Sequence, residues 1–317
     1  MILTLTPNPS VDRTVTLAGE LARGQVQRVE SIIDQGGGKG VNISRASISA
    51  LIPSIAVVPA ERDDPFVIEL LSAGIDCRPV RPAGPIRMNI AVTEPDGTTT
   101  KLNSPGAAVG PEHLAAMADA VLVRAGSSAW TVLAGSLPTG APAGFYADLV
   151  ARLRGSGTKV AVDTSDEPLA ALVAALPDSA PDLMKPNGHE LASLTGGDGD
   201  LIESDPCEAA ALAATLVKQG VAAVLVTLGA NGAVLVTPAG AWHAVPPPTT
   251  VVSTVGAGDS SLFGYVLGEV RGLGEPERLS LAVAYGSAAA GLPGTTIPAP
   301  DQVRPDLVRV TALEGLP

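Results

Sequence analysis

Thr254-Val255-Gly256-Ala257-Gly258-Asp259-Ser260-Ser261 is the stretch that decides the fold class of this chain of 317 residues. It follows the β-rich run Thr249–Ser253 and precedes Leu262–Val270, whose apolar residues recur with helical spacing. Small residues here let backbone N–H groups approach an anion, and a helix N-terminus adds positive potential. A carboxylate at Asp259 repels a bound anion, so an acid at this position needs a chemical reason. In phosphoryl transfer the reason is that Asp259 accepts the proton of the attacking hydroxyl. A helix cap is the alternative role, and the motif alone supports both.

Outward from this stretch, most of the chain alternates short β-branched runs with segments of helical period. We predict strands at Ile2–Thr6, Ile55–Val58, Thr131–Ala134, Lys159–Asp163, Ala222–Thr227 and Ala233–Thr237. We predict helices at Gly40–Leu51, Pro65–Ala73, Ala143–Arg154, Glu167–Leu176 and Glu208–Gln219. Strands separated by helices of this length indicate an α/β fold with a mainly parallel sheet. Ligands of such sheets bind beyond the carboxyl ends of the strands.

Four further strand-like runs break this rhythm. They are Thr14–Leu17, Val26–Ile33, Arg87–Glu94 and Thr98–Asn103, and the last two flank a hairpin turn at Pro95-Asp96-Gly97. We interpret them as one small sheet that stands off the main body, with ordinary edge strands as the alternative. No long polar linker divides the chain, so we expect one domain over 1–317, with lid strands within about 12–34 and 86–104.

Composition restricts the class of partner. The 32 acidic residues exceed the 20 basic ones, and the net charge of −12 argues against nucleic acid or an anionic membrane as the main partner. The longest apolar stretch, Val221–Val236, is interrupted by polar residues and glycines and is too short to span a membrane.

The two cysteines bear on the compartment. Cys77 and Cys207 match no C-x-x-C motif, and the histidines are scattered, which argues against a structural zinc site. Two lone thiols suit a reducing cytosol, although the sequence leaves one disulfide open. The N-terminus lacks the basic region of a signal peptide, so we expect a cytoplasmic protein.

Two other motifs can bind polar ligands. Gln35-Gly36-Gly37-Gly38-Lys39-Gly40-Val41-Asn42 opens a helix and supplies backbone donors, one ammonium group and one amide. The motif lacks the spacing of a P-loop. We interpret it as a binding loop for a polyhydroxylated anionic ligand, with a flexible loop that binds nothing as the less favoured alternative. In Lys185-Pro186-Asn187-Gly188-His189-Glu190-Leu191, Asn187 and Glu190 have the spacing of a capping box. The same spacing can place an amide and a carboxylate near hydrated Mg²⁺ and nucleotide phosphates, and the two roles are compatible.

Seven motifs together resemble the ribokinase-like (PfkB) family of carbohydrate kinases. In chain order they are TPNPSVD, GGGKGVN, RMNI, AGSLPTG, KPNGHEL, TLGANGA and TVGAGDS. The resemblance runs from about Leu3 to Pro298 and is strongest to the phosphosugar branch, which contains 1-phosphofructokinase, the bacterial minor 6-phosphofructokinase and tagatose-6-phosphate kinase. It implies a three-layer α/β/α sandwich with a β-sheet lid that often mediates dimers.

The resemblance implies a role for each matching position. The residues that match sugar-binding positions are Asp12, Gly37, Gly38, Lys39, Asn42, Arg87 and Ser136. Among them Arg87 matches the lid arginine that holds the substrate phosphate, and a guanidinium fork fits phosphate oxygens. On the residues alone, Arg87 could be a solvated edge-strand charge and Ser136 part of a strand-end turn. The residues that match the catalytic loop are Gly256, Ala257 and Gly258 as an anion hole and Asp259 as the base.

Other positions match the nucleotide site of the family. The matching residues are Lys185, Asn187, Thr227, Gly229, Gly232 and Gly258. Asn187 and Glu190 match the metal region, where they act on Mg²⁺ through water. Ala284–Gly291 matches a segment near the adenine, although its small residues could equally pack a helix.

The implied activity is ATP- and Mg²⁺-dependent phosphorylation of a ketohexose monophosphate. Fructose 1-phosphate is expected first, because Ser253 precedes TVGAGD as in 1-phosphofructokinase-like sequences. Phosphorylation of fructose 6-phosphate or tagatose 6-phosphate is the alternative within the branch. Arg87 and Lys39 argue against a kinase of nucleosides or free sugars, and the intact base and anion hole argue against a non-catalytic sugar-phosphate sensor. We expect a homodimer formed through the lid strands.

Two departures from the family pattern limit what can be transferred. Pro59-Ala60-Glu61-Arg62-Asp63-Asp64 stands where the family often has a glycine-rich stretch, so no sugar contact is assigned to that loop. Asp166 stands where the family often has glycine, and no role is assigned to it.

Overall fold

Two β-sheets organise the protein in this computed structural model, which describes residues 1–314. Its strands in chain order are β1 Ile2–Leu5, β2 Ser10–Leu17, β3 Val29–Gly37, β4 Ser54–Pro59, β5 Asp76–Val80, β6 Arg87–Thr93, β7 Thr99–Asn103, β8 Trp130–Ala134, β9 Lys159–Asp163, β10 Leu183–Met184, β11 Val224–Thr227, β12 Ala233–Thr237, β13 Gly240–Val245 and β14 Arg309–Ala312. The large sheet has ten strands in the order β14-β13-β12-β11-β10-β9-β8-β1-β4-β5. Within this order, the neighbouring strands β11, β10, β9, β8, β1, β4 and β5 run parallel, whereas β12, β13 and β14 pair antiparallel. The mainly parallel sheet agrees with the α/β fold predicted from the alternating runs.

Helices cover both faces of the large sheet. They are α1 Lys39–Ser49, α2 Pro65–Ser72, α3 Pro111–Ala125, α4 Phe145–Leu153, α5 Asp166–Ala174, α6 Gly188–Thr195, α7 Gly199–Ser204, α8 Pro206–Lys218, α9 Ala257–Val270 and α10 Glu275–Ala290. Successive residues of a strand face opposite sides. Leu3 accordingly packs in one core with Met117 of α3, whereas Ile2 packs in the other core with Phe263 of α9. The predicted three-layer α/β/α sandwich is therefore confirmed.

The small sheet consists of β2, β3, β6 and β7, in the order β3-β2-β6-β7. Strand β2 pairs antiparallel with β3 and parallel with β6, and Asp96 supports the β6–β7 turn by accepting from the backbone N–H of Thr98. The end of β3 runs through Gly38 directly into α1, so the small sheet is joined to the large sheet at a helix N-terminus.

The segment before α9 has a β-rich composition but forms no strand. Thr249–Ser253 contains a bend at Val252, and the backbone N–H groups of Val252 and Ser253 donate to the carbonyl of Ala290. Helix α9 begins at Ala257, inside the glycine motif, and continues through the predicted helical stretch Leu262–Val270. No helix within residues 1–314 is long and apolar enough to cross a membrane.

The contact between α9 and α10 requires a residue without a side chain at Gly264. A Cβ atom there would lie 2.6 Å from the carbonyl oxygen of Leu281 and 2.8 Å from the Cα of Ala282. Both are backbone atoms of α10, so neither can move aside alone.

We therefore expect Gly264→Ala to lower the free energy of unfolding by about 3 kcal/mol, the upper part of the range for overpacked cores. Urea denaturation followed by circular dichroism measures this change. Gly144→Ala is the matched control, because a Cβ atom at Gly144 meets no atom within 4 Å. The control should stay within about 0.5 kcal/mol of the unsubstituted chain. Equal stability of the two variants would contradict the tight α9–α10 contact.

Candidate active site

The carboxyl edge of the large sheet gathers most of the predicted site residues. Strand β9 ends at Asp163, and Lys185 directly follows β10. Helices α1 and α9 both begin at this edge, which brings Lys39 and Asp259 to it. Parallel strands with their helix N-termini at one edge make such a site by topology alone.

Asp259 lies in the first turn of α9 and is 93% buried, at a relative exposure of 7%. Its Oδ2 accepts a hydrogen bond of 2.8 Å from Nδ2 of Asn42 on α1. Among residues 1–314 no group donates to its Oδ1. Gly256, in the left-handed conformation with φ 80°, occupies the N-cap position, so Asp259 is not the helix cap. One oxygen of Asp259 is therefore fixed, and the other is available to a ligand.

Two lysines share one buried carboxylate beside Asp259. Nζ of Lys39 donates to Oδ1 of Asp163 at 2.7 Å, and Nζ of Lys185 lies 3.3 Å from Oδ2 of the same residue. Lys185 also reaches the helix N-terminus, since a Cβ atom on Gly258 would lie 3.2 Å from its Nζ. The four charged groups thus form one cluster, in which Asp163, Asp259 and Lys185 are buried and the side chain of Lys39 is 34% exposed.

The cluster shifts the protonation equilibria of its members. Burial alone would raise the pKa of Asp163, but the ammonium groups of Lys185 and Lys39 outweigh it and hold that pKa below its usual value. Burial alone would lower the pKa of Lys39, but Asp163 and Asp259 outweigh it and raise that pKa. Burial raises the pKa of Asp259; Lys39 opposes this effect, and Asp163 reinforces it. Asp259 is consequently more basic than an exposed aspartate.

The small sheet contributes a second polar group. Oδ1 of Asp12 accepts hydrogen bonds from Ser10 Oγ at 2.8 Å and from Asn89 Nδ2 at 2.9 Å. A Cβ atom on Gly37 would lie 2.2 Å from Oδ2 of Asp12, so any larger residue there would displace the Asp12 carboxylate. Gly37 contacts Asp12, and Lys39 follows two positions later in the chain. This short segment therefore connects Asp12 to the charged cluster.

Arg87 begins β6 next to this group. Burial lowers the pKa of its guanidinium, and the charge of Asp12 opposes that effect. Its Nη1 donates to the carbonyl of Ser104 at 3.2 Å, and its buried Nε has no partner among residues 1–314. Gly106 packs between Arg87 and Asn8, and Nδ2 of Asn8 lies 3.5 Å from Oγ of Ser136. Arg87 and Ser136 are therefore brought to the same region.

The predicted nucleotide residues meet on the other side of the cluster. Asn187 caps α6 by accepting from the backbone N–H of Glu190 at 2.7 Å, and Glu190 Oε2 accepts from the N–H of Asn187 at 2.8 Å. The predicted capping box is therefore confirmed. Asn187 also bridges to Thr227, which leads into the loop of Gly229 and Gly232.

Ala284–Gly291 forms the second half of α10 and its C-terminal cap. Ala284 and Tyr285 are buried and pack in the core. Gly286 packs against Ala257, since a Cβ atom added at Gly286 would lie 3.3 Å from the carbonyl oxygen of Ala257. Helix packing therefore explains part of this segment. Its far end lies against Thr249–Ser253, where the hydroxyl groups of Thr249 and Ser287 are 2.6 Å apart.

Comparisons with known proteins identify the family. Residues 6–302 match the pfkB family carbohydrate kinases. A 1-phosphofructokinase of Rhodobacter capsulatus is 37% identical over 320 aligned positions, covering 100% of this chain and 98% of the relative. A 1-phosphofructokinase of Escherichia coli strain K12 is 33% identical and covers 91% of this chain and 90% of the relative. The chain belongs to the pfkB family of carbohydrate kinases.

A solved structure supports the same assignment. Phosphofructokinase-2 from Escherichia coli, in complex with substrates and products, superposes on this chain with a TM-score of 0.86 at 28% identity. The alignment covers 96% of this chain and 97% of that one.

Three residues in contact with the predicted site residues were not singled out by the sequence motifs. Asp163, Asn89 and Asn8 received no role, although each lies in or beside a motif or a predicted strand. The one available signal for Asp163 is an acid that ends the β-branched run Lys159–Asp163, where a parallel strand presents its carboxyl end.

The departure from the pfkB pattern at Asp166 has a backbone explanation. Asp166 adopts φ 56°, in the left-handed region that glycine occupies without strain. Aspartate tolerates this conformation better than most residues, and Ser165 Oγ donates to its Oδ2 at 2.7 Å.

Proposed function

We propose that this chain is a 1-phosphofructokinase. It transfers the γ-phosphoryl group of ATP to the C6 hydroxyl of fructose 1-phosphate, which gives fructose 1,6-bisphosphate and ADP. The identities of 37% and 33% to two 1-phosphofructokinases over most of the chain support this substrate, and the site supports the reaction type.

The arrangement of Asp259 carries the proposal. Its Oδ2 is held by Asn42, its Oδ1 accepts nothing within residues 1–314, and its pKa is raised chiefly by burial. A carboxylate so placed accepts the proton of the sugar hydroxyl as the phosphorus–oxygen bond forms. Its position in the first turn of α9 puts the hydroxyl beside the N–H groups of Gly256, Ala257 and Gly258.

The neighbouring positive charges suit the transferred group. The backbone N–H of Ala257 donates to the carbonyl of Thr254 at 3.3 Å. The other N–H groups at the start of α9 have no helical partners and suit the charge that develops on the phosphoryl oxygens. Lys185, 95% buried at a relative exposure of 5%, brings an ammonium group to Gly258. Phosphoryl transfer requires mainly positioning and charge stabilisation, which these groups supply.

The residues on the nucleotide side fit a magnesium ion that is held mainly by ATP. No group of three or more His, Cys, Asp or Glu side chains within residues 1–314 could hold a metal ion. Glu190 uses Oε2 in the capping box, which leaves Oε1 for a water molecule of the hydrated ion. Mg²⁺ prefers such a site, with few carboxylates, several waters and substrate phosphates, and it neutralises phosphate charge when bound. Asn187 fixes the position of Glu190.

The sugar side supports a phosphorylated acceptor. Asp12 and Asn89 present hydrogen-bonding groups for sugar hydroxyls, and Asn42 keeps a buried Oδ1 without a partner within residues 1–314. Arg87 offers a partly desolvated guanidinium for the phosphate at C1, with Ser136 in the same region. A desolvated guanidinium gains more from a phosphate than an exposed one does.

Fructose 6-phosphate is the second candidate acceptor. The observation that favours it is the TM-score of 0.86 to phosphofructokinase-2 of Escherichia coli. Its identity of 28% is lower than that of the 1-phosphofructokinases, so fructose 1-phosphate comes first.

We also propose that two copies associate through the small sheet in the cytoplasm. Its edge strands β3 and β7 expose Val29, Ile32, Ile33 and Leu102 at 43–63%. Apolar side chains on sheet edges favour pairing with another chain. Cys77 and Cys207 are both free thiols, as expected in a reducing compartment.

ADP release with a panel of acceptors tests the proposed function. We expect the highest kcat/KM with fructose 1-phosphate, lower values with fructose 6-phosphate and tagatose 6-phosphate, and the lowest with free fructose. A preference of about tenfold, or 1.4 kcal/mol, for fructose 6-phosphate would make the second candidate correct. Equal use of free fructose would refute the phosphosugar assignment, and phosphosugar binding without ADP release would identify a sensor.

Asp259→Asn should lower kcat by at least about 10²-fold while ATP still binds, because the amide cannot accept the proton. Steady-state kinetics and isothermal calorimetry measure the two quantities. Asp205→Asn is the matched control, since Asp205 caps α8 and asparagine caps equally well. Near-normal turnover of the Asp259 variant would remove this residue from the role of base.

Arg87→Ala should lower kcat/KM for fructose 1-phosphate by about 10–10³-fold, through the loss of a charge-assisted contact. The KM for ATP should hardly change. Arg13→Ala is the matched control on the same sheet, because Arg13 pairs with the exposed Asp34 at 2.6 Å. If both variants kept the activity of the unsubstituted enzyme, the substrate phosphate would bind elsewhere.

A further inference from the structure

Asp163 is the buried carboxylate to which neither the sequence motifs nor the proposed reaction gives a role. It ends β9, and its side chain has a relative exposure of 0%. Each of its oxygens faces one ammonium group, Lys39 at 2.7 Å and Lys185 at 3.3 Å. Burying a carboxylate costs desolvation free energy, and the two neighbouring ammonium groups offset this cost.

The two lysines belong to different sides of the site. Lys39 follows Gly37 and Gly38, the residues next to Asp12 on the sugar side. Lys185 precedes Asn187 and reaches the first turn of α9 on the nucleotide side. One carboxylate therefore touches a cation from each half of the site.

We propose that Asp163 is a positioning residue that fixes Lys39 and Lys185 between the two substrates and keeps Lys39 from pairing with the base Asp259. The proposal rests on the proposed function, because it assigns one lysine to each substrate. If Asp163 lost its charge, Lys39 would turn to Asp259. The free Oδ1 of Asp259, which the sugar hydroxyl needs, would then be occupied.

The charged groups around Asp259 fix the sign of the expected pH effect. They are Lys39 on α1, Asp163 on β9, Lys185 after β10 and, acting on Lys39, Glu190 on α6. Burial raises the pKa of Asp259, Lys39 and Lys185 lower it, and Asp163 raises it. Replacement of Asp163 by asparagine removes the acid and leaves both cations. The pKa of Asp259 should therefore fall.

The test is Asp163→Asn, assayed by pH profiles of kcat/KM with fructose 1-phosphate. The acid limb of the profile should move to lower pH by at least about 0.5 unit relative to the unsubstituted enzyme. Ionisation of the substrate phosphate is common to all variants and cancels in this comparison. The KM values for ATP and for fructose 1-phosphate should both rise, each by about tenfold, as for a lost charge-assisted contact.

Two further variants separate positioning from general damage. Lys39→Met should raise the KM for fructose 1-phosphate alone and move the acid limb to higher pH, opposite to Asp163→Asn. Asp182→Asn is the matched control, since Asp182 accepts from the backbone N–H of Val160 at 2.7 Å, at the other end of β9. The control should change neither the acid limb nor the two KM values.

The proposal is overturned if Asp163→Asn leaves the acid limb in place, or if it raises only one of the two KM values. Should that variant fail to fold, because two ammonium groups lose their counter-charge, Asp163→Asn/Lys39→Met removes one charge of each sign. Its KM for ATP should exceed that of Lys39→Met by about fivefold, since Lys185 is still unsupported. Equal KM values for ATP would refute the role of Asp163.

Calorimetry with ATP alone distinguishes failure of this proposal from failure of the proposed function. If the unsubstituted protein phosphorylates none of the ketohexose phosphates, the proposed function is wrong. The affinity for ATP still tests the Lys185 half, because Asp163→Asn should weaken it about tenfold and Asp182→Asn should not. Unchanged ATP affinity in both variants overturns the positioning role regardless of the sugar.

Discussion

The charge balance at the carboxyl edge of the large sheet is the constraint on which the site depends. Lys39, Lys185, Asp163 and Asp259 bring two positive and two negative charges into a largely buried cluster. An unpaired charge at this depth would be strongly destabilising, so each group requires the others. The two flanking glycine motifs leave room at this edge. A Cβ atom on Gly38 would lie 2.6 Å from Cγ2 of Thr6, and one on Gly258 would lie 3.2 Å from Nζ of Lys185.

The architecture was predictable because its signals are local. Strands buried on both faces are continuous β-branched runs, and the intervening helices have the length that parallel connections require. The turn Pro95-Asp96-Gly97 indicated the small sheet, which extends from Ser10 to Asn103 in its observed strands. Thr249–Ser253 shows the limit of composition as a signal: it is β-rich but forms no strand, and the N–H groups of Val252 and Ser253 bond to Ala290 of α10 instead. Strand propensity expresses packing against neighbours more than any preference of the backbone itself.

Motifs singled out candidate site residues one by one but not the contacts between them. The family resemblance assigns Lys39 to the sugar and Lys185 to the nucleotide, and both assignments stay predictions. The motifs did not indicate that Asp163 lies against both lysines. Asp163 is separated from Lys39 by 124 positions, and the acid that ends a strand resembles any other polar residue at a turn. Asn42 illustrates the same limit. Its match to a sugar-binding position stays a prediction, whereas its hydrogen bond to Asp259, 217 positions away, emerges only from the fold.

The ion pairs within the cluster also bear on selectivity for phosphorylated ligands. Lys39 donates a hydrogen bond to Oδ1 of Asp163, and the ammonium group of Lys185 lies 3.3 Å from its Oδ2. A neutral ligand that displaced one of these contacts would leave a buried charge unpaired and gain little in return. A phosphate oxygen brings its own negative charge and several hydrogen-bond acceptors, so it can share an ammonium group that Asp163 continues to hold. The carboxylate that compensates the two lysines therefore also disfavours uncharged ligands, which is specificity obtained from a contact that touches no substrate.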